Sequence, residues 1–187
     1  MDNLVGKLIR LRSLQDSDYD YIATLRNDLR TQAWNQRLPP CFTPQMIKEH
    51  LEERFKKENR GVFGIETREG KLVGYLNYHE DPPRFAATVG LSTGIGYWGK
   101  GYAKESMELI LRFLYEERGV QVVRLWTWSG NERMIGLAKK LGFLTSATLR
   151  ESSILKGKPF DTLMMDMLRE EFFKSRGLKE ELGVSRK

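Results

Sequence analysis

The stretch GIGYWGKGYAKES, residues 94–106, contains four glycines and two lysines and leads directly into a segment with helical apolar spacing. Glycine lets the main chain approach a ligand closely, and the first N–H groups of a helix have no partner within that helix. A helix that begins at Gly101 or Tyr102 would point these N–H groups toward an anion. The stretch therefore predicts an anion-binding loop between a strand and a helix.

The composition is that of a single domain with a substantial core, because the chain has 187 residues. Lys and Arg number 31 against 25 Asp and Glu, and the net charge of +6 suits acidic partners such as phosphates. Cys41 is the single cysteine, which excludes an internal disulfide and a multi-cysteine zinc site, and no nucleophile motif surrounds it. Because the sequence shows neither a signal-peptide pattern nor a long apolar run, we expect a cytoplasmic protein without membrane contact.

Apolar periodicity predicts the order of the secondary-structure elements around the loop. Thr43 followed by Pro44 is typical of a helix start, and Gly142 of a helix end. The predicted order is a strand at 7–12, helices within 13–30 and 44–55, strands at 62–67, 71–79 and 86–93, the loop, a helix ending before 119, a strand at 121–128, a helix at 131–141, and a hairpin of 147–155 and 161–168 around KGKPF.

Two nucleotide-binding templates match the loop only in part. Residues 94–99 fit the G-x-G-x-x-G pattern of dinucleotide-binding proteins, but the helix would begin too late, and the next strand ends in Trp126, Thr127 and Trp128 instead of an acid. Residues 94–100 also fit most of a phosphate-binding P-loop. Gly101, however, stands where that loop needs a Ser or Thr to hold magnesium.

The hexapeptide WGKGYA, residues 98–103, resembles the Q/R-x-x-G-x-G/A pyrophosphate loop of the GNAT superfamily of N-acetyltransferases, with Trp98 in place of Gln or Arg. A glycine turn that only joins a strand to a helix would look the same. The resemblance, however, extends over residues 6–170 in the order of the elements, and it looks closest to the branch of ribosomal-protein alanine N-acetyltransferases.

This resemblance implies an α+β (mixed α/β) fold of the acyl-CoA N-acyltransferase type. Its sheet is twisted and mostly antiparallel, with about seven strands, a central splayed parallel pair and about four flanking helices. The implied organisation is one acetyltransferase domain at residues 6–170 and a charged C-terminal tail at 171–187. Ala138 and a pI of 9.4 leave open an alternative, a non-catalytic acyl-CoA-sensing or RNA-associated module of the same fold.

The implied activity is direct transfer of the acetyl group of acetyl-CoA to a primary amine through a ternary complex. The acceptor would be a protein N-terminus or a small-molecule amine. We expect no metal and no nucleic-acid partner, and the sequence leaves a homodimer open.

The implied cofactor contacts lie in the strand before the loop, in the loop itself and before the helix at 131–141. They are Leu91, Ser92, Thr93, Trp98, Gly99, Lys100, Gly101, Tyr102, Ala103, Lys104 and Asn131. Asn131 matches the family's pantetheine-binding Asn, but Asn is also a favoured helix cap, so both roles stay open. Ala138 stands where many relatives have a Tyr that protonates the thiolate, so no general acid is assigned.

For the base, the sequence offers His79, Glu80 and Asp81, expected just past the third strand, where an acceptor cleft would open. Glu80 is the predicted base, and a solvated turn is the alternative. Trp126 and Trp128 share one side of their strand, where they would either stack on a ligand or pack in the core.

Overall fold

The computed structural model describes residues 4–32, 41–81 and 85–177. The strands are β1 (Ile9–Arg12), β2 (Arg60–Thr67), β3 (Leu72–Asp81), β4 (Ala86–Thr93), β5 (Val122–Trp128), β6 (Leu144–Leu155) and β7 (Lys158–Leu168). The α-helices are α1 (Asp18–Asn27), α2 (Leu29–Gln32), α3 (Pro44–Phe55), α4 (Tyr102–Arg112), α5 (Glu132–Leu141) and α6 (Arg169–Ser175). A 3-10 turn (Ile95–Tyr97) precedes α4, and a π-helical turn (Phe113–Glu117) continues it.

The seven strands form one sheet in the order β1-β2-β3-β4-β5-β7-β6. The central neighbours β4 and β5 are parallel, whereas each other neighbouring pair is antiparallel. This topology confirms the predicted mixed sheet with a central parallel pair. The described residues form six α-helices instead of the expected four, because α2 and α6 are short additions.

The helix boundaries follow the capping residues in the sequence. Thr43 accepts a hydrogen bond from the Met46 N–H at 3.2 Å, and Pro44 occupies the first turn of α3. Gly142 ends α5 with a φ of 102°, a conformation that favours glycine. Both boundaries confirm the sequence prediction.

The final hairpin has a tighter turn than expected. The segment KGKPF was predicted as its loop, but β7 already begins at Lys158. Lys156 and Gly157 alone make the turn, with φ values of 50° and 75°. Positive φ at both central residues is typical of a two-residue turn that matches the twist of the strands.

The two faces of the sheet are covered by different helices. Helices α4, α5 and α6 bury apolar side chains on one face, including Met107, Ile110, Ala138 and Phe172. Helices α1 and α3 bury Ile22, Ile47 and Leu51 against Tyr75 on the other face, which we call the α1/α3 face. Among the described residues, no helix is long and apolar enough to cross a membrane.

The predicted domain boundary at residue 170 falls inside α6. Phe172 is fully buried, and its ring centroid lies 4.8 Å from that of the buried Tyr115. Phe173 is 7% exposed and packs edge-on against Phe172. Phe172 and Phe173, which the predicted boundary places in the charged tail, therefore pack in the hydrophobic core.

Replacing Phe172 by Ala should destabilise the domain by about 3–5 kcal/mol, because it removes a fully buried aromatic side chain. The free energy of unfolding, measured in urea, checks this expectation. Glu170→Ala on the exposed side of the same helix is the control and should cost less than about 1 kcal/mol. Equal stabilities of the two variants would contradict the assignment of α6 to the core.

Candidate active site

Strands β4 and β5 separate after a short parallel ladder. Their paired residues are Ala86 with Val122, Ala87 with Val123, and Thr88 with Arg124. Beyond this point each strand keeps its outer neighbour, since Thr93 still pairs with Gly74 of β3, and Trp128 with Thr162 of β7. The facing edges of residues 89–93 and 125–128 therefore present backbone N–H and C=O groups to an extended ligand.

The loop after β4 presents the start of α4 to the same opening. Gly99 and Gly101 have φ values of 77° and 85°, in the left-handed region that favours glycine. The first backbone hydrogen bond of α4 runs from the Glu105 N–H to the Gly101 carbonyl at 3.0 Å. The N–H groups just ahead of Glu105 consequently have no carbonyl of their own helix to pair with, as expected for an anion site.

Four cationic side chains lie beside this loop, one of which is Lys71, 5.5 Å from the Tyr97 ring centroid. The Arg133 guanidinium stacks on the Trp98 ring, 3.9 Å from its centroid, and the Trp98 Nε1–H donates to the Thr93 carbonyl at 3.1 Å. Lys100 lies 5.5 Å from the Tyr97 ring centroid. Lys104 pairs with Glu108 one turn along α4, at 3.3 Å. Arg133 thus brings a cation to the position where Trp98 replaces the expected Gln or Arg.

Asn131, which follows β5, acts as a helix cap, one of the two roles expected from the sequence. Its Oδ1 accepts a hydrogen bond from the Met134 N–H at 3.3 Å, so the side chain caps α5. Within the described ranges its amide nitrogen has no hydrogen-bond partner and remains available as a donor. Ala138 is fully buried in the hydrophobic core that also contains side chains of α4.

The two strand tryptophans have different environments. They lie two positions apart in β5, on the same face of the sheet. Trp126 is 46% exposed, whereas Trp128 is 5% exposed. The buried Trp128 Nε1–H has no hydrogen-bond partner among the residues that the structure describes. Trp128, at the end of β5, is thus a buried side chain whose indole N–H remains available as a hydrogen-bond donor.

Glu80, the predicted base, is not brought together with the loop. It lies inside β3 and not past it, paired with Ala87 near the opposite end of β4. Its side chain is buried and accepts hydrogen bonds from Arg118 Nε at 2.7 Å and Nη2 at 3.1 Å, which raise the pKa of Arg118. These contacts make Glu80 a buried ion-pair partner on the face covered by α4.

A row of polar side chains crosses the α1/α3 face where β4 and β5 separate. Cross-strand pairing places its members side by side in the order Arg60, His79, Thr88, Arg124 and Asp166. His79 therefore points to the side opposite Glu80. Since neighbouring strands are about 4.8 Å apart, adjacent members of this polar row can touch the same ligand.

The environment of His79 favours its neutral form. Partial burial lowers the pKa of His79 below its usual 6.5, the Asp81 carboxylate 3.9 Å away opposes this shift, and the charges of Arg60 and Arg54 add to it. A neutral imidazole can accept a proton near pH 7. The sequence singled out His79 only as one of three neighbours, because the side of the sheet on which it lies depends on the register of β3.

A shallow cavity of about 200 Å³ opens between the α1–α2 segment and the turn before the loop. Its lining includes Tyr21, Asp28, Arg30 and the turn residues 94–97. Asp28 and Arg30 pair with each other at 2.9 Å, so their charges offset within the lining. Among the described residues, no group of three or more His, Cys, Asp or Glu side chains is arranged to hold a metal ion.

Comparison with known proteins gives consistent matches over most of the chain. The family model described as an acetyltransferase (GNAT) domain matches residues 9–144. The prophage-derived N-acetyltransferase YokL of Bacillus subtilis is 29% identical over 174 residues, which cover 92% of this chain and 96% of that protein. The "Putative ribosomal N-acetyltransferase YdaF" of the same organism is 22% identical over 179 residues, with coverages of 90% and 95%.

A solved structure shows the same fold. The spermidine N-acetyltransferase of Vibrio cholerae, in complex with CoA and spermine, superimposes with a TM-score of 0.82 at 18% identity. The match covers 90% of this chain and 99% of that chain.

Glu80→Gln should lower stability by about 1–3 kcal/mol, because it weakens a buried, charge-assisted pair with Arg118. The turnover rate of the folded enzyme should not change. Urea unfolding and the rate of CoA release measure the two effects. The control is Glu116→Gln, at the more exposed pair with Arg112, which should cost under about 1 kcal/mol. Loss of turnover in folded Glu80→Gln would restore Glu80 as the base.

Proposed function

Because the chain belongs to the GNAT family and is an acetyl-CoA-dependent N-acetyltransferase, we propose that it acetylates a primary amine directly, in a ternary complex with acetyl-CoA. The observation that carries this proposal is the opening of the β4–β5 pair beyond Thr88, next to a glycine loop at the start of α4. The branch of ribosomal-protein alanine N-acetyltransferases is supported by the YdaF match, and a small-molecule acceptor by the spermine-bound neighbour.

The loop is the proposed site for the cofactor's two linked phosphates. The backbone N–H groups of residues 99–104 and the dipole of α4 both attract negative charge. Lys100, Lys104 and Arg133 add three positive charges around this helix start. The proposed phosphate contacts are therefore the predicted ones, from Trp98 to Lys104.

The pantetheine arm would run from the loop back along the open edge of β4. Leu91, Ser92 and Thr93 lie on this edge and can offer backbone groups to its amides. The amide nitrogen of Asn131, three residues after the end of β5, can also donate a hydrogen bond to the pantetheine arm. The thioester then lies near Thr88, where the two strands join and where the polar row crosses the sheet.

The reaction needs a neutral amine, which attacks the thioester carbonyl carbon. A C–N bond forms, the C–S bond breaks, the amine loses one proton and the thiolate gains one. We assign acceptance of the amine proton to His79, because it lies in the polar row beside Thr88 and its neutral form is favoured. A thiol has a pKa of about 8.5, so its thiolate can take a proton from water without a dedicated acid.

Gly99→Asp should raise the Kd for CoA by about ten-fold or more, because a carboxylate would face the phosphates. Isothermal titration with CoA measures this change. Gly70→Asp is a matched control, since Gly70 has a φ of 84° against 77° for Gly99, and a Cβ atom meets nothing within 4 Å at either site. Both variants carry the same backbone strain, and Gly70 lies in the β2–β3 turn. Equal CoA affinities in the two variants would contradict the assignment of the loop.

His79→Gln should lower kcat about 100-fold, the typical contribution of a general base. The groups around His79 are Asp81 on its own strand, Arg60 on β2, Arg54 on α3 and Arg124 beyond Thr88. Because its pKa lies below 6.5, wild-type kcat should fall as the pH drops through that region, and the variant should lose this inflection.

The control for this experiment is His50→Gln on the exposed side of α3, which should keep the wild-type pH profile. CoA release followed from pH 5 to pH 9 gives both profiles. An unchanged inflection in His79→Gln would exclude the base role of His79.

A further inference from the structure

The α1/α3 face carries more arginine than its neighbouring carboxylates neutralise. Arg26 comes from α1, Arg54 from α3 and Arg60 from β2. Burial lowers the pKa of Arg54, and the positive charges of Arg60 and Arg26 lower it further. The three guanidinium groups are therefore close enough to repel one another. We call these three residues the arginine cluster.

The arginine cluster has few internal partners. Arg26 donates to the Tyr75 hydroxyl at 3.1 Å and lies over the Tyr75 ring, and Arg54 lies over the Phe55 ring. The buried Nε of Arg60 has no hydrogen-bond partner within the described part of the chain. Among the described residues, none of the three arginines forms an ion pair with a carboxylate, and Arg26 and Arg60 are half-buried while Arg54 is exposed.

The position of the arginine cluster connects it to the acceptor and not to the cofactor phosphates. Arg60 is the cross-strand neighbour of His79, which itself pairs with Thr88 at the point where β4 and β5 separate. The glycine loop lies beyond Thr93, about 17 Å further along β4 at 3.3 Å per residue. An anion at the arginine cluster would therefore belong to a molecule other than CoA.

The other charged positions nearby do not carry the same excess. The buried Nε of Arg124, like that of Arg60, has no hydrogen-bond partner among the described residues, but Arg124 lies 3.7 Å from the Asp81 carboxylate and is the cross-strand neighbour of Asp166. In the cavity beside the loop, Asp28 and Arg30 form a pair. The unneutralised positive charge is thus concentrated at Arg54 and Arg60, next to His79.

We infer that Arg54 and Arg60 bind an anionic group of the amine acceptor, a carboxylate or a phosphate, so that the acceptor is an anionic amine. This inference rests on the proposed acetyl transfer. Guanidinium groups form paired, charge-assisted hydrogen bonds with both kinds of anion. A polyamine would place its own positive charges against the same arginines, which would repel it.

Matched acceptor pairs test this inference. The dipeptide Ala-Gly is compared with its C-terminal amide, and phosphoethanolamine with ethanolamine, with spermidine as the polyamine. The kcat/KM for CoA release should favour the anionic member of at least one pair by about ten-fold or more, the effect expected for one charge-assisted hydrogen bond. The pair that shows the preference identifies the anion as a carboxylate or a phosphate.

Arg60→Gln and Arg54→Gln should each reduce this preference about ten-fold, mainly through KM, while the Kd for CoA stays unchanged. Arg68→Gln, at the exposed β2–β3 turn, removes the same charge and should keep the preference. Spermidine as the best acceptor, or an unchanged preference in Arg60→Gln, would overturn the inference.

A binding measurement separates this inference from the proposed function. Calorimetric titration of phosphoethanolamine and Ala-Gly into the CoA-loaded protein reports on the arginine cluster without turnover. Binding that Arg60→Gln weakens, in a protein that acetylates none of the amines, would uphold the anion site and argue against the proposed acetyl transfer. No binding of either anion, together with no preference in turnover, would refute the anion site.

Discussion

The separation of β4 and β5 is the constraint on which the rest of the structure depends. Two adjacent strands lose their shared hydrogen bonds after Thr88, and the backbone groups along both edges then need other partners. The outer neighbours keep both strands extended, since β3 and β7 remain paired to their ends. Gly74 contributes to this, because a Cβ atom there would lie 2.2 Å from the Ser92 carbonyl oxygen. The opening is therefore a fixed feature of the sheet.

A contact between residues far apart in the sequence holds the start of α4 in place. The Glu105 carboxylate, in the first turn of α4, accepts hydrogen bonds from the N–H groups of Lys7, Leu8 and Ile9, each at 2.8 Å. Gly6 allows this contact, since a Cβ atom there would lie 2.4 Å from the Glu105 carboxyl carbon. The start of α4 is thus held against the residues that begin β1.

Local sequence patterns predicted the helices and strands. They did not predict which side chains become neighbours across the sheet, because that depends on how the strands pair. Strand β4 and the start of α4 have the expected bounds, because alternation, glycine and capping residues act over a few positions. The sequence shows that His79 and Glu80 face opposite sides of a strand, but the choice of side depends on which helices cover each face. The turn at residues 68–70 favours pairing of β2 with β3, but Arg60 and His79 become neighbours because β2 begins two residues before its predicted start and an irregularity between Ile65 and Glu66 shifts the register. Phe172 was assigned to the tail because its neighbours in the sequence are charged.

The charges around the opening also bear on how an amine becomes reactive without a carboxylate base. The arginine cluster lies beside His79, so an amine held there is close to positive charge. Nearby positive charge lowers the pKa of an amine and increases the share of its neutral, nucleophilic form. Partial burial lowers the pKa of His79, and the charges of Arg60 and Arg54 lower it further, so we propose that the neutral imidazole accepts the proton that the amine loses after attack. The anionic group of the proposed acceptor would offset part of this charge, so the main contribution of the arginines in our proposal is to position the amine beside His79.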